Sequence, residues 1–142
     1  MSPELLAEIQ EAASIAGLGH IFGDEPFPRG AVLERWQGSA DEIFLDEAGL
    51  GFAAVGPPWL NGLYVRPEAW GTGVAARLHD RAVEALRAAG AGTARLWVLE
   101  ENLRARRFYE RRGWQLDGTT RDVPYPPFPI DVGYSLRVGP PR

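Results

Sequence analysis

VRPEAWGTGVA, residues Val65 to Ala75, is the stretch from which the fold can be read. The β-prone run Leu63, Tyr64 and Val65 leads into Pro67, which cannot continue a sheet ladder. Gly71 and Gly73 then flank Thr72, and a helix-prone run of Ala, Arg and Leu begins at once. A strand, a turn, paired glycines and a helix start together present bare backbone N–H groups to a phosphate. Glycine lets a ligand approach closely, and the first helical turn has unpaired donors at a positive dipole end. The segment predicts a site for a phosphorylated ligand.

Outward from this turn, apolar periodicity orders the rest of the chain. Upstream, Pro3 to Leu18 carries Leu5, Ile9, Ala12, Ala13 and Ala16 at helical spacing, with Ser2 as cap. A loop from Gly23 to Gly30 and a short helix, Ala31 to Trp36, follow. Glu42 to Asp46 and Leu50 to Val55 read as a hairpin, stopped by Pro57 and Pro58. Trp59 to Val65 is the next strand, with a turn or bulge at Asn61-Gly62. Downstream, a helix over Val74 to Ala89 ends at Gly90 and Gly92, and Ala94 to Leu99 reads as a buried strand. Asn102 opens a helix through Arg112, closed by Gly113. Two last strands, Trp114 to Thr119 and Ile130 to Val138, are joined by VPYPPFP, Val123 to Pro129. The order α-α-β-β-β-α-β-α-β-β is that of one α/β (α+β) domain over residues 1–142 with a mixed sheet.

Composition narrows the function. The 142 residues are 45% hydrophobic, enough for one domain with a real core. A net charge of −4 argues against a nucleic-acid partner. No cysteine is present, which excludes disulfides, thiolate metal sites and a cysteine nucleophile. Two histidines, His20 and His79, are too few and too far apart to suggest a metal site. His79 is expected on the polar side of its helix. The acidic N-terminus lacks a secretory pattern and no apolar run reaches membrane-spanning length, so a soluble cytoplasmic protein is expected. Pairing of two copies through exposed strands or tryptophans stays open.

Several ligands compete for the glycine turn. A P-loop needs a lysine that is absent near these glycines. Gly71, Gly73 and Ala76 formally satisfy a dinucleotide fingerprint, and Glu100 lies where a ribose-binding acid is sought. Arg66 to Trp70, however, separate those glycines from their strand, and little chain remains for further βαβ units. A plain connecting turn is the bland alternative.

A second string decides between them. NLRARRFYERRGW, Asn102 to Trp114, together with LYVRPEAWGTGVAARLHDRAV, resembles the GCN5-related N-acetyltransferase (GNAT) superfamily. That family's loop, Arg/Gln-x-x-Gly-x-Gly/Ala, is met by WGTGVA except at Trp70. Its second signature is met at Asn102, Ala105, Phe108, Tyr109, Glu110, Gly113 and Trp114. The resemblance covers Trp59 to Asp117 and has two departures. The family's usual first strand has no counterpart before the opening helix. The glutamate that many members use as general base has no counterpart between Trp59 and Val65.

The resemblance implies a mostly antiparallel twisted sheet flanked by helices, with splayed central strands, and acetyl-CoA as acetyl donor. Trp70, Gly71, Thr72, Gly73, Val74 and Ala75 would hold its pyrophosphate. Leu63, Tyr64 and Val65 would pair with the pantetheine arm, and Asn102, Ala105 and Phe108 would line its path. Tyr109 would protonate the leaving thiolate after direct attack by a primary amine. Glu100 is a candidate base, and Asp131 is a candidate partner for the amine's charge. Trp36, Trp59 and the proline-rich connector are candidates to shape the acceptor pocket. Arg104, Arg106, Arg107, Arg111 and Arg112 read as a solvated face paired with Glu100, Glu101 and Glu110, or as contacts to the cofactor's 3′-phosphate. A non-catalytic acyl-CoA-binding module is the rival reading, kept open by the missing glutamate.

Overall fold

The computed structural model describes residues 2–140. Three helices precede the sheet: α1 (Pro3–Gly17), α2 (Gly19–Phe22) and α3 (Arg29–Gln37). The strands are β1 (Glu42–Leu45), β2 (Gly51–Gly56), β3 (Trp59–Val65), β4 (Thr93–Leu99), β5 (Gln115–Asp122) and β6 (Ile130–Arg137). Helix α4 (Val74–Ala88) links β3 to β4, and α5 (Leu103–Arg111) links β4 to β5. The sheet order is β1-β2-β3-β4-β6-β5, and only the β3–β4 neighbours run parallel. This is the mostly antiparallel mixed sheet that the resemblance implied. Helix α2 is an addition to the expected order; its four residues are too few to show a period.

Two apolar clusters lie on opposite faces of the sheet. Successive residues of a strand point to opposite sides, and β2 illustrates this: Ala53 and Val55 join one cluster, Phe52 and Ala54 the other. The first cluster packs Leu78, Ala82 and Leu86 of α4 and Tyr109 of α5 against Leu96, Val132 and Tyr134. The second packs Leu6 and Ile9 of α1 and Trp36 of α3 against Phe52. Helix α1 buries Leu6, Ala7, Ile9 and Gln10, a face rotated from the alanine-rich one that spacing suggested. Burying Gln10 is tolerable because its Oε1 accepts the Trp36 indole N–H at 2.9 Å.

The expected irregularity at Asn61-Gly62 is a bulge. Ala54 faces Gly62 while Val55 faces Leu60, so Asn61 is the extra residue on β3. A wider irregularity between Leu116 and Thr120 extends β5 beyond its expected end, to Asp122.

His79 is only 4% exposed, not on a polar face. Its Nε2 accepts the Trp114 indole N–H at 3.0 Å, and its Nδ1 lies 3.0 Å from Asp80 Oδ1. This arrangement suits the neutral Nδ1–H tautomer; a proton on Nε2 would face the Trp114 N–H. Helical period alone placed His79 beside Asp80 and Arg81, and only the tertiary partner Trp114 reveals why it turns inward. Burial holds its pKa below the ordinary 6.5, against the opposing pull of Asp80. The unfolded chain therefore binds a proton more readily than the folded one. The stabilisation is complete above about pH 6.5 and is lost as pH falls through that value toward the folded pKa. Thermal melts should give a Tm that drops between pH 7.5 and pH 5, and His79→Leu should flatten that part of the slope.

Candidate functional site

Strands β3 and β4 touch only near their starts. Trp59 pairs with Arg95, whose N–H donates to Pro58 C=O at 2.9 Å, and the strands diverge beyond. The register with β2 says which backbone groups face the opening. Arg66 N–H donates to Leu50 C=O at 2.8 Å, and antiparallel pairing alternates by twos, so Tyr64 and Gly62 spend theirs on β2. Leu63 and Val65 direct theirs toward the gap. Carbonyls on either side of Leu63 are capped by side chains: Asn61 C=O by Arg35 Nη2 at 2.7 Å, Val65 C=O by the Trp70 indole N–H at 2.9 Å. Between the caps, Leu63 presents both N–H and C=O.

The glycine turn stands at the wide end of this gap. A 3-10 turn, Pro67–Ala69, follows β3, and the Thr72 hydroxyl donates back to Ala69 C=O. Gly71 and Gly73 have φ of 79° and 92°, the left-handed region that other residues avoid. Helix α4 starts after Gly73 with no side-chain cap, and its first helical bond is Arg77 N–H to Gly73 C=O at 3.0 Å. The N–H groups of Val74, Ala75 and Ala76 therefore have no helical partner and stand at the positive end of a 15-residue helix.

Trp70 bridges the turn to α5. Besides capping Val65, its ring lies 3.4 Å from the Arg104 guanidinium carbon, with Gly17 of α1 packed close to both. The arginine-rich helix is thus not a face of glutamate pairs. Arg106 donates to Tyr134 Oη at 2.8 Å and Glu100 C=O at 2.7 Å, and Arg112 lies 3.7 Å over Phe108. Among the described residues, none of the arginines from Arg104 to Arg112 forms a salt bridge.

Asn102 caps α5 by accepting the Ala105 N–H at 3.2 Å. One turn on, Tyr109 packs edge-on against Phe108 and Trp114, and it is 8% exposed. Its hydroxyl has no hydrogen-bond partner among the described residues. Burial, and secondarily the Tyr64 hydroxyl, push the phenol up from 10.0, so it keeps its proton across the neutral range.

A cavity of about 950 Å³ runs along β3, β4 and α5 on the α1–α3 side, and neither Val65 nor any residue from Trp70 to Ala75 lines it. Leu63, Tyr64, Asn102, Ala105 and Tyr109 line it, as do Trp59, Val123, Tyr125 and Asp131. Trp36 does not; it is buried edge-on against Phe52 at 5.2 Å. Phe108 faces His79 instead, in an edge-on pair at 5.8 Å. Glu100 is exposed, outside the cavity wall, with its backbone held by Ile130 and Arg106. Asp131 is buried, and its Oδ2 accepts Arg121 Nε at 3.0 Å. Arg35 and Arg121 also line the cavity, and the sequence did not single out either one. The signal for Arg121 is its position opposite Asp131 in the β5–β6 register, which is invisible until the strands are paired.

A gap beside a free strand edge, leading to a glycine turn and a buried tyrosine, matches a known constellation. The model of the acetyltransferase (GNAT) family matches residues 8–114. The chain belongs to this family. Solved structures agree in fold. A GCN5-related N-acetyltransferase from Rhodopseudomonas palustris, described as an aminotransferase of class II, superposes with a TM-score of 0.78 at 19% identity, over 96% of this chain and 89% of that one. The ribosomal-protein-S18-alanine N-acetyltransferase of Escherichia coli gives 0.70 at 18%, over 99% and 90%. The PaiA N-acetyltransferase of Thermoplasma acidophilum, solved with coenzyme A, gives 0.65 at 18%, over 93% and 91%. No curated protein matches the sequence. Among the described residues of this GNAT domain, no helix is long and apolar enough to cross a membrane, and no His/Cys/Asp/Glu cluster has the makings of a metal site.

Proposed function

We propose that this GNAT chain transfers an acetyl group from acetyl-CoA to a primary amine by direct attack, without a covalent enzyme intermediate. The observation that carries this reading is the unspent backbone of Leu63 between two side-chain caps, in a gap continuous with Tyr109. The N–H groups of Val74 to Ala76 hold the pyrophosphate, and Trp70, Gly71, Thr72 and Gly73 shape the turn around it. Leu63 pairs with the pantetheine amides as an added strand would, and Tyr64 and Val65 fix its register. A backbone N–H on this edge, from Leu63 or Val65, stabilises the oxyanion as the amine nitrogen bonds to the thioester carbon. The C–S bond then breaks. The sulfur takes the Tyr109 proton, the amine's surplus proton leaves to water, and solvent restores the phenol. A phenol raised by burial keeps its O–H at neutral pH, so it donates to sulfur as charge builds there.

The family's strand glutamate has no counterpart, and Glu100 stands outside the cavity, so solvent removes the amine's proton in this proposal. Titration calorimetry with acetyl-CoA, followed by thiol release over an amine panel, tests the reading. Binding with turnover supports it. Binding without turnover on every amine assigns the non-catalytic module instead, and absence of binding removes both.

A further inference from the structure

Resting on the acetyltransferase reading, the far wall of the cavity carries information about the acceptor. Two planes form its apolar part: Trp59 and Trp97 stack with centroids 6.1 Å apart and an interplanar angle of 12°. Beside them sits a pair of opposite charges with capacity left over. Arg121 spends its Nε on Asp131 Oδ2 at 3.0 Å, while its guanidinium carbon lies 4.5 Å from the Trp97 ring centroid. The two terminal nitrogens of Arg121 and Asp131 Oδ1 enter no hydrogen bond among the described residues. Asp131 is 12% exposed at its side chain and Arg121 54%, so the carboxylate is fixed inside while the fork meets the cavity mouth. A second guanidinium, Arg35, lines the same space. Tyr125 lines the same space together with Tyr64, Arg35, Asp131 and Arg121.

A free carboxylate oxygen accepts an ammonium N–H, and an unspent arginine fork matches a carboxylate in planar, two-point geometry. The stacked indoles suit a flat apolar body. Linear diamines and lysine side chains offer neither the anion nor the flat surface, and two guanidiniums oppose additional positive charge. We infer that the acceptor is an aromatic amino acid, its carboxylate on Arg121, its ammonium at Asp131 Oδ1 and its ring against Trp59 and Trp97. The sequence hinted at two parts of this, through Asp131 and Trp59.

The test compares L-tryptophan with tryptamine and L-phenylalanine with phenethylamine, pairs that differ only in the carboxylate. With saturating acetyl-CoA, kcat/KM should favour each amino acid by about 10-fold or more, because a charge-assisted hydrogen bond contributes about 1.5–3 kcal/mol. Arg121→Leu should shrink that ratio toward one, mainly through KM. Arg121→Lys, which keeps the charge without the fork, should leave an intermediate ratio and serves if the leucine variant does not fold. Equal rates within each pair, or turnover of cadaverine above both amino acids, overturn the assignment while leaving acetyl transfer intact. L-tryptophan that neither binds by calorimetry nor turns over in an enzyme that binds acetyl-CoA also overturns it. Absence of acetyl-CoA binding falls on the underlying reading instead.

Discussion

Tyr109→Phe is expected to lower kcat for acetyl transfer by about 100-fold or more, with acetyl-CoA affinity changed by no more than about twofold. The argument rests on what the hydroxyl does not do. It forms no hydrogen bond among the described residues, so its removal leaves no buried partner unsatisfied. The ring keeps its edge-on contacts to Phe108 and Trp114, with centroids 5.4 Å and 5.9 Å away, so packing and melting temperature should change little. What disappears is the one phenolic proton that lines the cavity from α5. Transition-state loss without ground-state loss shows as a fall in kcat and kcat/KM together, with the calorimetric Kd held. Thiol release in the two proteins checks it. Equal turnover would remove Tyr109 as the proton donor and leave the sulfur to be protonated from solvent.

The strand-turn-helix reading of Val65 to Ala75 needed only local chemistry, because paired glycines, a proline and a change of hydrophobic period are properties of short segments. The hairpin of β1 and β2, the bulge at Asn61 and the cap at Asn102 were legible for the same reason. What escaped depends on contacts between distant segments. Trp70 looked like an irregular member of the phosphate loop, whereas its indole caps Val65 C=O and its ring supports Arg104, which lies on helix α5. The inward turn of His79 requires Trp114. The charge pair at Asp131 requires the β5–β6 register, and the cap on Asn61 requires α3 to deliver Arg35 across the sheet face. Glu100 looked well placed at a strand end, yet strand ends say nothing about which side of the sheet a cavity opens on. The proposed acceptor wall is thus the least legible part of the molecule, since it is assembled from α3, β3, β4, β5, β6 and the connector after β5.

Gly73→Val should weaken acetyl-CoA binding by about 10-fold or more, the largest loss expected from any change outside the cavity. At φ 92° a β-branched residue is strained whatever space surrounds it, by about 1–3 kcal/mol. Its Cβ would also lie 3.1 Å from Arg77 Nη1, though that flexible tip can give way. Relief of the strain requires the peptide planes before α4 to rotate, which turns the Val74 and Ala75 N–H groups away from a shared focus. Since about 1.4 kcal/mol corresponds to tenfold in affinity, strain of this size is enough to abolish the cradle's contribution. Gly71→Ala separates the two causes. Its Cβ would meet nothing within 4 Å, but its φ of 79° is also unfavourable for alanine. It should therefore cost stability while disturbing the α4 N-terminus less. Calorimetry on both variants, with melting curves alongside, distinguishes a damaged cradle from a weakened fold. Unchanged acetyl-CoA affinity in a folded Gly73→Val protein would move the pyrophosphate away from this helix start. Arg104, held against Trp70 at the other side of the cleft, would then be the cation to examine.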